Sequence, residues 1–123
     1  MKCFNKSIGS YGEDLAENYL RNLGYIILDK NFRCNLGEID LVCKYKDIIC
    51  FIEVKSRFSN NFGYPCESIG IAKQNQLIRL SKYYITKFNL RNFNCRFDAL
   101  EVSFDMNYST PIINFIQDAF RLY

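Results

Sequence analysis

Two apolar, strand-length segments, "GEIDLVCK" (37–44) and "IICFIEVK" (48–55), are separated by only the polar connection "YKD". Segments this close read as a β-hairpin, although the Asn-Gly turn that most favours one is absent. If Lys46 and Asp47 form a two-residue turn, Tyr45 pairs with Ile48. Asp40 then stands directly opposite Glu53, and Glu38 opposite Lys55, with opposed Cβ atoms roughly 5 Å apart. A slip of one residue would undo this register. Because side chains two apart share a face, Glu53 and Lys55 point the same way.

Two carboxylates held so close repel each other, and one of them is pushed toward its protonated form. A divalent cation removes that cost, and hard oxygen ligands suit Mg²⁺ or Mn²⁺. Lys55, one step further along the face, is then placed to position or help deprotonate a water, or to stabilise charge developing on phosphate oxygens. The plainer alternative is a surface hairpin in which Glu38 pairs with Lys55, worth ~0.2–1 kcal/mol. Against it, residues 48–52 form an unbroken apolar run, which reads as a central strand, whereas an exposed hairpin alternates from end to end.

The rest of the chain narrows the chemistry. It has no histidine, so Ser-His-Asp and Cys-His triads, histidine-metal nucleases and histidine zinc sites are excluded. Its six cysteines are scattered without a CxxC pair, as expected of reduced structural thiols in the cytosol. No apolar run approaches the ~20 residues of a membrane span, and the N-terminus lacks the apolar core of a secretory signal. At 123 residues and 49% hydrophobic, the chain reads as one globular domain, 1–123. Over residues 54–96, Lys and Arg outnumber acidic residues eight to one, and the flanking segments are net acidic. A cationic middle suits a polyanionic partner, and equally a solvated helix face.

Around the hairpin, "SYGEDLAENYLRNLG" (10–24) reads as a helix with a Ser10/Glu13 capping box and a stop at Gly24. "YIILDKNF" (25–32) and "RFDALEVSF" (96–104) read as strands, 68–88 as a long helix, and 112–120 as a final strand or a short helix. A second stripe on the long helix, Ile71, Ile78 and Ile85, suggests a homodimer seam. The fold class expected is α/β, a central mixed sheet flanked by helices.

"GEIDLV" followed by "FIEVKSR" resembles the PD-(D/E)xK nuclease core, in which an Asp and a Glu-x-Lys lie on adjacent strands. Together with "GEDLAENYL", "GYIILDKNFR" and "RFDALEV", the chain resembles the YraN-like family of small bacterial proteins. That family is related to archaeal Holliday-junction resolvases with a restriction-endonuclease-like fold. The resemblance implies Asp40 and Glu53 as metal ligands, with the Val54 carbonyl as a third, Mg²⁺ or Mn²⁺ as cofactor, and Lys55 as catalytic lysine. It also suggests Glu17 as an additional acidic residue, Arg57 and Lys73 as phosphate contacts, and Glu38 as a supporting partner. The activity implied is metal-dependent hydrolysis of branched or structured DNA. The rival expectation is a non-catalytic nucleic-acid-binding module that retains the nuclease fold.

Overall fold

The computed structural model describes residues 8–58, 69–104 and 110–121. Its elements are α1 (Ile8–Asn22), β1 (Ile26–Cys34), β2 (Gly37–Tyr45), β3 (Ile48–Phe58), α2 (Ile71–Lys87), β4 (Asn94–Phe104) and β5 (Ile112–Phe120). The strands form one sheet in the order β1-β2-β3-β4-β5, antiparallel throughout except for the parallel pair β3/β4. Parallel neighbours need a long crossover, and α2 lies within it. The mixed α/β sheet expected from the sequence is therefore present, and segment 112–120 is a strand. The loop read at 60–65 lies outside the described residues, as do Cys3 and Cys66.

Alternation along the central strands sorts side chains to the two faces. Ile49, Phe51, Phe97 and Ala99 pack with Leu77, Leu80 and Tyr84 of α2. Cys50, Ile52, Leu100 and Val102 pack with Ala16 and Leu20 of α1 on the other side. Each fully buried side chain of Leu or Ile size contributes about 1.5–3 kcal/mol. The apolar run 48–52 is thus a central strand buried on both faces, and the surface-hairpin reading does not hold.

The turn between β2 and β3 has Lys46 at φ 56, the left-handed conformation a two-residue hairpin needs at its first position. α1 ends at Gly24 (φ 96), with Tyr25 N–H bonding Leu20 C=O and Gly24 N–H bonding Arg21 C=O, the Schellman pattern. Its start departs from the expectation. The helix begins at Ile8, so Ser10 lies within its first turn and not at the N-cap position.

The isoleucine stripe on α2 is also not an open seam. Ile78 and Ile85 are partly buried against the α2-side core, and only Ile71 stands out, 70% exposed. Of the four described cysteines, all free, Cys43 and Cys50 are paired across β2/β3 inside the α1-side core. Burial pushes both thiols up to about 12, so they act as small apolar groups. The "RFDAL" block is structural: Arg96 forks onto buried Asp98 (2.8 and 3.0 Å), donates to Tyr25 Oη (2.8 Å), and Asp98 also accepts the Asp118 N–H (2.8 Å). No helix among the described residues is long and apolar enough to cross a membrane.

Candidate functional site

The β2/β3 ladder runs from Tyr45↔Ile48 to Leu41↔Ile52, the expected register, and its regular pairing ends there. The next opposed residues are Asp40 and Glu53. At this point β2 breaks its alternation. Leu41 faces α1 and Val42 faces α2, so strict alternation would return Ile39 to the α1 side, yet Ile39 lies in the α2-side core with Phe32. On β1 the pairing Lys30↔Leu41 and Phe32↔Ile39 skips Asn31 and Asp40, and Asn31 sits in the left-handed region (φ 52). The irregularity frees the Asp40 side chain to turn toward β3, where its Oδ2 accepts the Val54 backbone N–H at 2.8 Å.

Glu53 keeps the normal alternation of β3 and so faces α2. Burial first, and then the Asp40 charge, push its carboxyl up to about 7, while Lys73 and Lys55 pull it back. Asp40 is raised as well, chiefly by burial, against the Val54 N–H, which favours the charged form. The two carboxyls are close enough to share a hydrogen bond when one holds the proton. Otherwise Glu53 Oε1 is buried without a hydrogen-bond partner, a costly arrangement. Lys73 Nζ lies 3.8 Å from Glu53 Oε2, near enough for an ion pair but too far for a good hydrogen bond.

The remaining sequence candidates divide. Lys55 follows Glu53 on the same face, its charge acts on Glu53, and among the described residues it makes no ion pair. Lys73 is brought in by the first turn of α2, which Gln76 ties to the β1–β2 turn through Leu36 C=O (3.2 Å). Gly37 makes room for that tie, because a Cβ there would meet Gln76 Nε2 at 2.4 Å. Glu38 does not pair with Lys55. It bonds Arg33 at 2.8 Å across β1/β2, and its charge adds to the field at Asp40. Arg57 is engaged rather than presented: its Nε lies 2.8 Å from Oε2 of buried Glu101, an ion pair without an aligned hydrogen bond.

Glu17 does not join the pair. Lys30 and Arg21 hold it at 2.8 Å each, and the Lys30 bond, then Arg21, lowers its pKa. The acidic residue that α1 turns toward the site is Glu13, one turn earlier. Burial and then the Asp40 charge raise its pKa, while a hydrogen bond from Asn31 opposes them. The reason is the direction in which α1 lies. Gly12 packs on Ser56, so the start of the helix covers the end of β3 just beyond Glu53. Glu13 and Glu17 share a helix flank, so their spacing alone could not say which of them reaches the sheet opening.

Among the described residues no three Asp, Glu or Cys side chains form a ready-made metal cluster. A divalent cation nevertheless fits the Asp40/Glu53 pair. It would offset their repulsion and give the orphaned Glu53 Oε1 a partner, with two hard carboxylate ligands and room for others from backbone, substrate or solvent. The fold and site thus define a small α/β domain whose sheet opens onto a half-buried carboxylate pair flanked by two lysines. Residues 12–102 match the uncharacterised protein family UPF0102, and the chain belongs to that family. It is 52% identical over 122 residues to a UPF0102 protein of Clostridium perfringens, covering 99% of this chain and 100% of that one. UPF0102 proteins of Clostridium kluyveri (47%) and Clostridium tetani (48%) match over the same 99% of this chain and all of their own.

Proposed function

We propose that this chain is a metal-dependent endonuclease of the PD-(D/E)xK type that acts on branched or structured DNA in the cytosol. The observation that carries the reading is the half-buried Asp40/Glu53 pair at the split of β2 and β3, with the Lys55 ammonium, which makes no ion pair among the described residues, two residues on. A structural ion pair would neutralise those carboxylates internally. Among the described residues the one ion-pair contact to these carboxylates is Lys73, at 3.8 Å from Glu53.

Asp40 and Glu53, with the Val54 carbonyl, would hold Mg²⁺ or Mn²⁺, which supplies Lewis acidity and charge neutralisation at the phosphate. Lys55 would orient the attacking water and stabilise negative charge on the phosphoryl oxygens in the transition state. Lys73, 3.8 Å from Glu53, would balance its charge and meet a non-bridging phosphate oxygen. Glu13 supplies a further carboxylate whose raised pKa suits a proton carrier.

The test is cleavage of a labelled four-way DNA junction beside linear duplex and single strand, in Mg²⁺ and in Mn²⁺, with EDTA and Glu53→Ala as controls. We expect metal-dependent cuts near the branch that vanish in Glu53→Ala. Lys55→Ala should lose at least about a hundredfold in rate while still binding. Binding without a cut in either metal would favour a non-catalytic nucleic-acid-binding module and overturn the enzyme.

A further inference from the structure

On the flank of α2 that faces β1, three aromatic rings surround one ammonium. Lys87 Nζ lies 5.9 Å from the centre of Phe32, 5.8 Å from Tyr83 and 5.7 Å from Phe88. Phe32 contacts Tyr83 at 6.2 Å and Phe88 at 6.3 Å between ring centres. The core beneath is already closed by Tyr84, 3% exposed, whose ring meets Phe51 and whose hydroxyl donates to Asp29 at 3.2 Å. Phe88 and Phe32 pack on Tyr84 at 4.5 and 5.0 Å between ring centres, yet Tyr83 and Phe88 keep 41% and 44% of their surface exposed.

The charge around the rings has one dominant sign. α2 carries no Asp or Glu at all. Arg79, one turn before Tyr83, and Arg91, just beyond the helix, are exposed and have no ion-pair partner among the described residues. The rings lie on the same side of the sheet as Glu53 and Lys73. Asn31, whose left-handed backbone accompanies the break beside Asp40, immediately precedes Phe32. Along α2, Tyr83 stands ten residues from Lys73, about 15 Å.

We propose that Phe32, Tyr83 and Phe88, with Lys87, form a stacking platform for unpaired nucleobases of single-stranded nucleic acid. Exposed aromatic faces bind bases irrespective of sequence, and the surrounding cations track the phosphates. The platform rests on the nucleic-acid reading above but does not require cleavage. It would take an unpaired strand leaving the junction or end that the carboxylate site engages.

The measurement is the affinity of the full chain for a short single-stranded oligonucleotide in EDTA, by fluorescence anisotropy, on an Asp40→Asn/Glu53→Gln background that removes metal-dependent cutting. Emission from a 2-aminopurine base in the strand reports stacking directly. Tyr83→Ala and Phe88→Ala should each weaken binding at least about fivefold and relieve the quenching of 2-aminopurine. Tyr83→Phe should preserve both, and Lys87→Gln should lower the salt slope by about one. Affinity and quenching unchanged in Tyr83→Ala would overturn the platform while leaving the nuclease reading standing. A dimer that sedimentation shows is dissociated by Tyr83→Ala, with no change in affinity, would assign the rings to a second copy. No binding of any nucleic acid by the parent protein would overturn both proposals.

Discussion

Glu53 is the side chain with the strongest opposing demands. It is largely buried beside a second carboxyl, and its folded pKa is pushed up to about 7 from 4.5 by burial first and by Asp40 second. An acid whose pKa is raised on folding binds more protons in the folded state than in the unfolded one across that interval. Stability must then fall as pH rises from about 4.5 to 7 and level off above it. The loss attributable to this group is on the order of 3 kcal/mol without metal. We expect Glu53→Gln, unfolded by urea in EDTA, to match the wild type near pH 4.5 and to exceed it near pH 8. A wild type that gains stability over that range relative to the variant would show that Glu53 is held as a well-paired anion. Much of this site could be read from the sequence. A strand period of two, a short turn and a ladder place Asp40 against Glu53 without knowledge of the rest of the fold. Glu13 and Glu17 could not be separated that way, because two residues on one helix flank differ only in where the helix lies along the sheet.

At the level of elements, that placement of α1 depends on Gly12. A Cβ there would fall 1.8 Å from Ser56 Oγ and 3.0 Å from Ser56 Cβ, so the helix rests directly on β3. Helix propensity alone would make Gly12→Ala stabilising by roughly 0.8–1 kcal/mol. Overpacking against β3 costs about 1–3 kcal/mol, so the variant should be net destabilised and its α1 lifted from the sheet. Ser56 Oγ is itself buried without a hydrogen-bond partner among the described residues, so Ser56→Ala should be neutral or stabilising by up to ~1 kcal/mol. Combined, Gly12→Ala/Ser56→Ala should recover part of the loss, and a double-mutant cycle by chemical denaturation measures the coupling. Additive effects would mean that the helix does not seat on Ser56. The apolar stripe located α1 and the apolar run located β3, but their close approach is a tertiary fact. For the same reason the isoleucine stripe on α2 looked free: helical spacing shows that a residue shares a face, not whether the sheet behind the helix is wide enough to cover it. Element order fared better, since a long helix between two buried strands implies a crossover and hence the parallel pair β3/β4.

Across the whole molecule, charge is sorted by position. The carboxylates of Glu13, Glu38, Asp40 and Glu53 act on one another at the open end of β2 and β3. α2 is cationic along its length, and only Lys73 reaches back to the acidic end. A fold that concentrates acidic groups in one place is destabilised by their repulsion unless a cation is bound there, so metal binding should appear as folding stability. A ligand present at tenfold over its dissociation constant contributes about 1.4 kcal/mol, which for a domain of this size raises Tm by several degrees. Mg²⁺ should therefore raise the Tm of the wild type, and more at pH 8 than at pH 5, because protons compete for the same oxygens. Asp40→Asn/Glu53→Gln should start more stable in EDTA and gain nothing from Mg²⁺. The two outcomes are linked through one cause, since the repulsion relieved by amide substitution is the repulsion a cation would relieve. Equal shifts in both proteins would place the cation elsewhere and leave the half-buried pair as a strained acid with some other use.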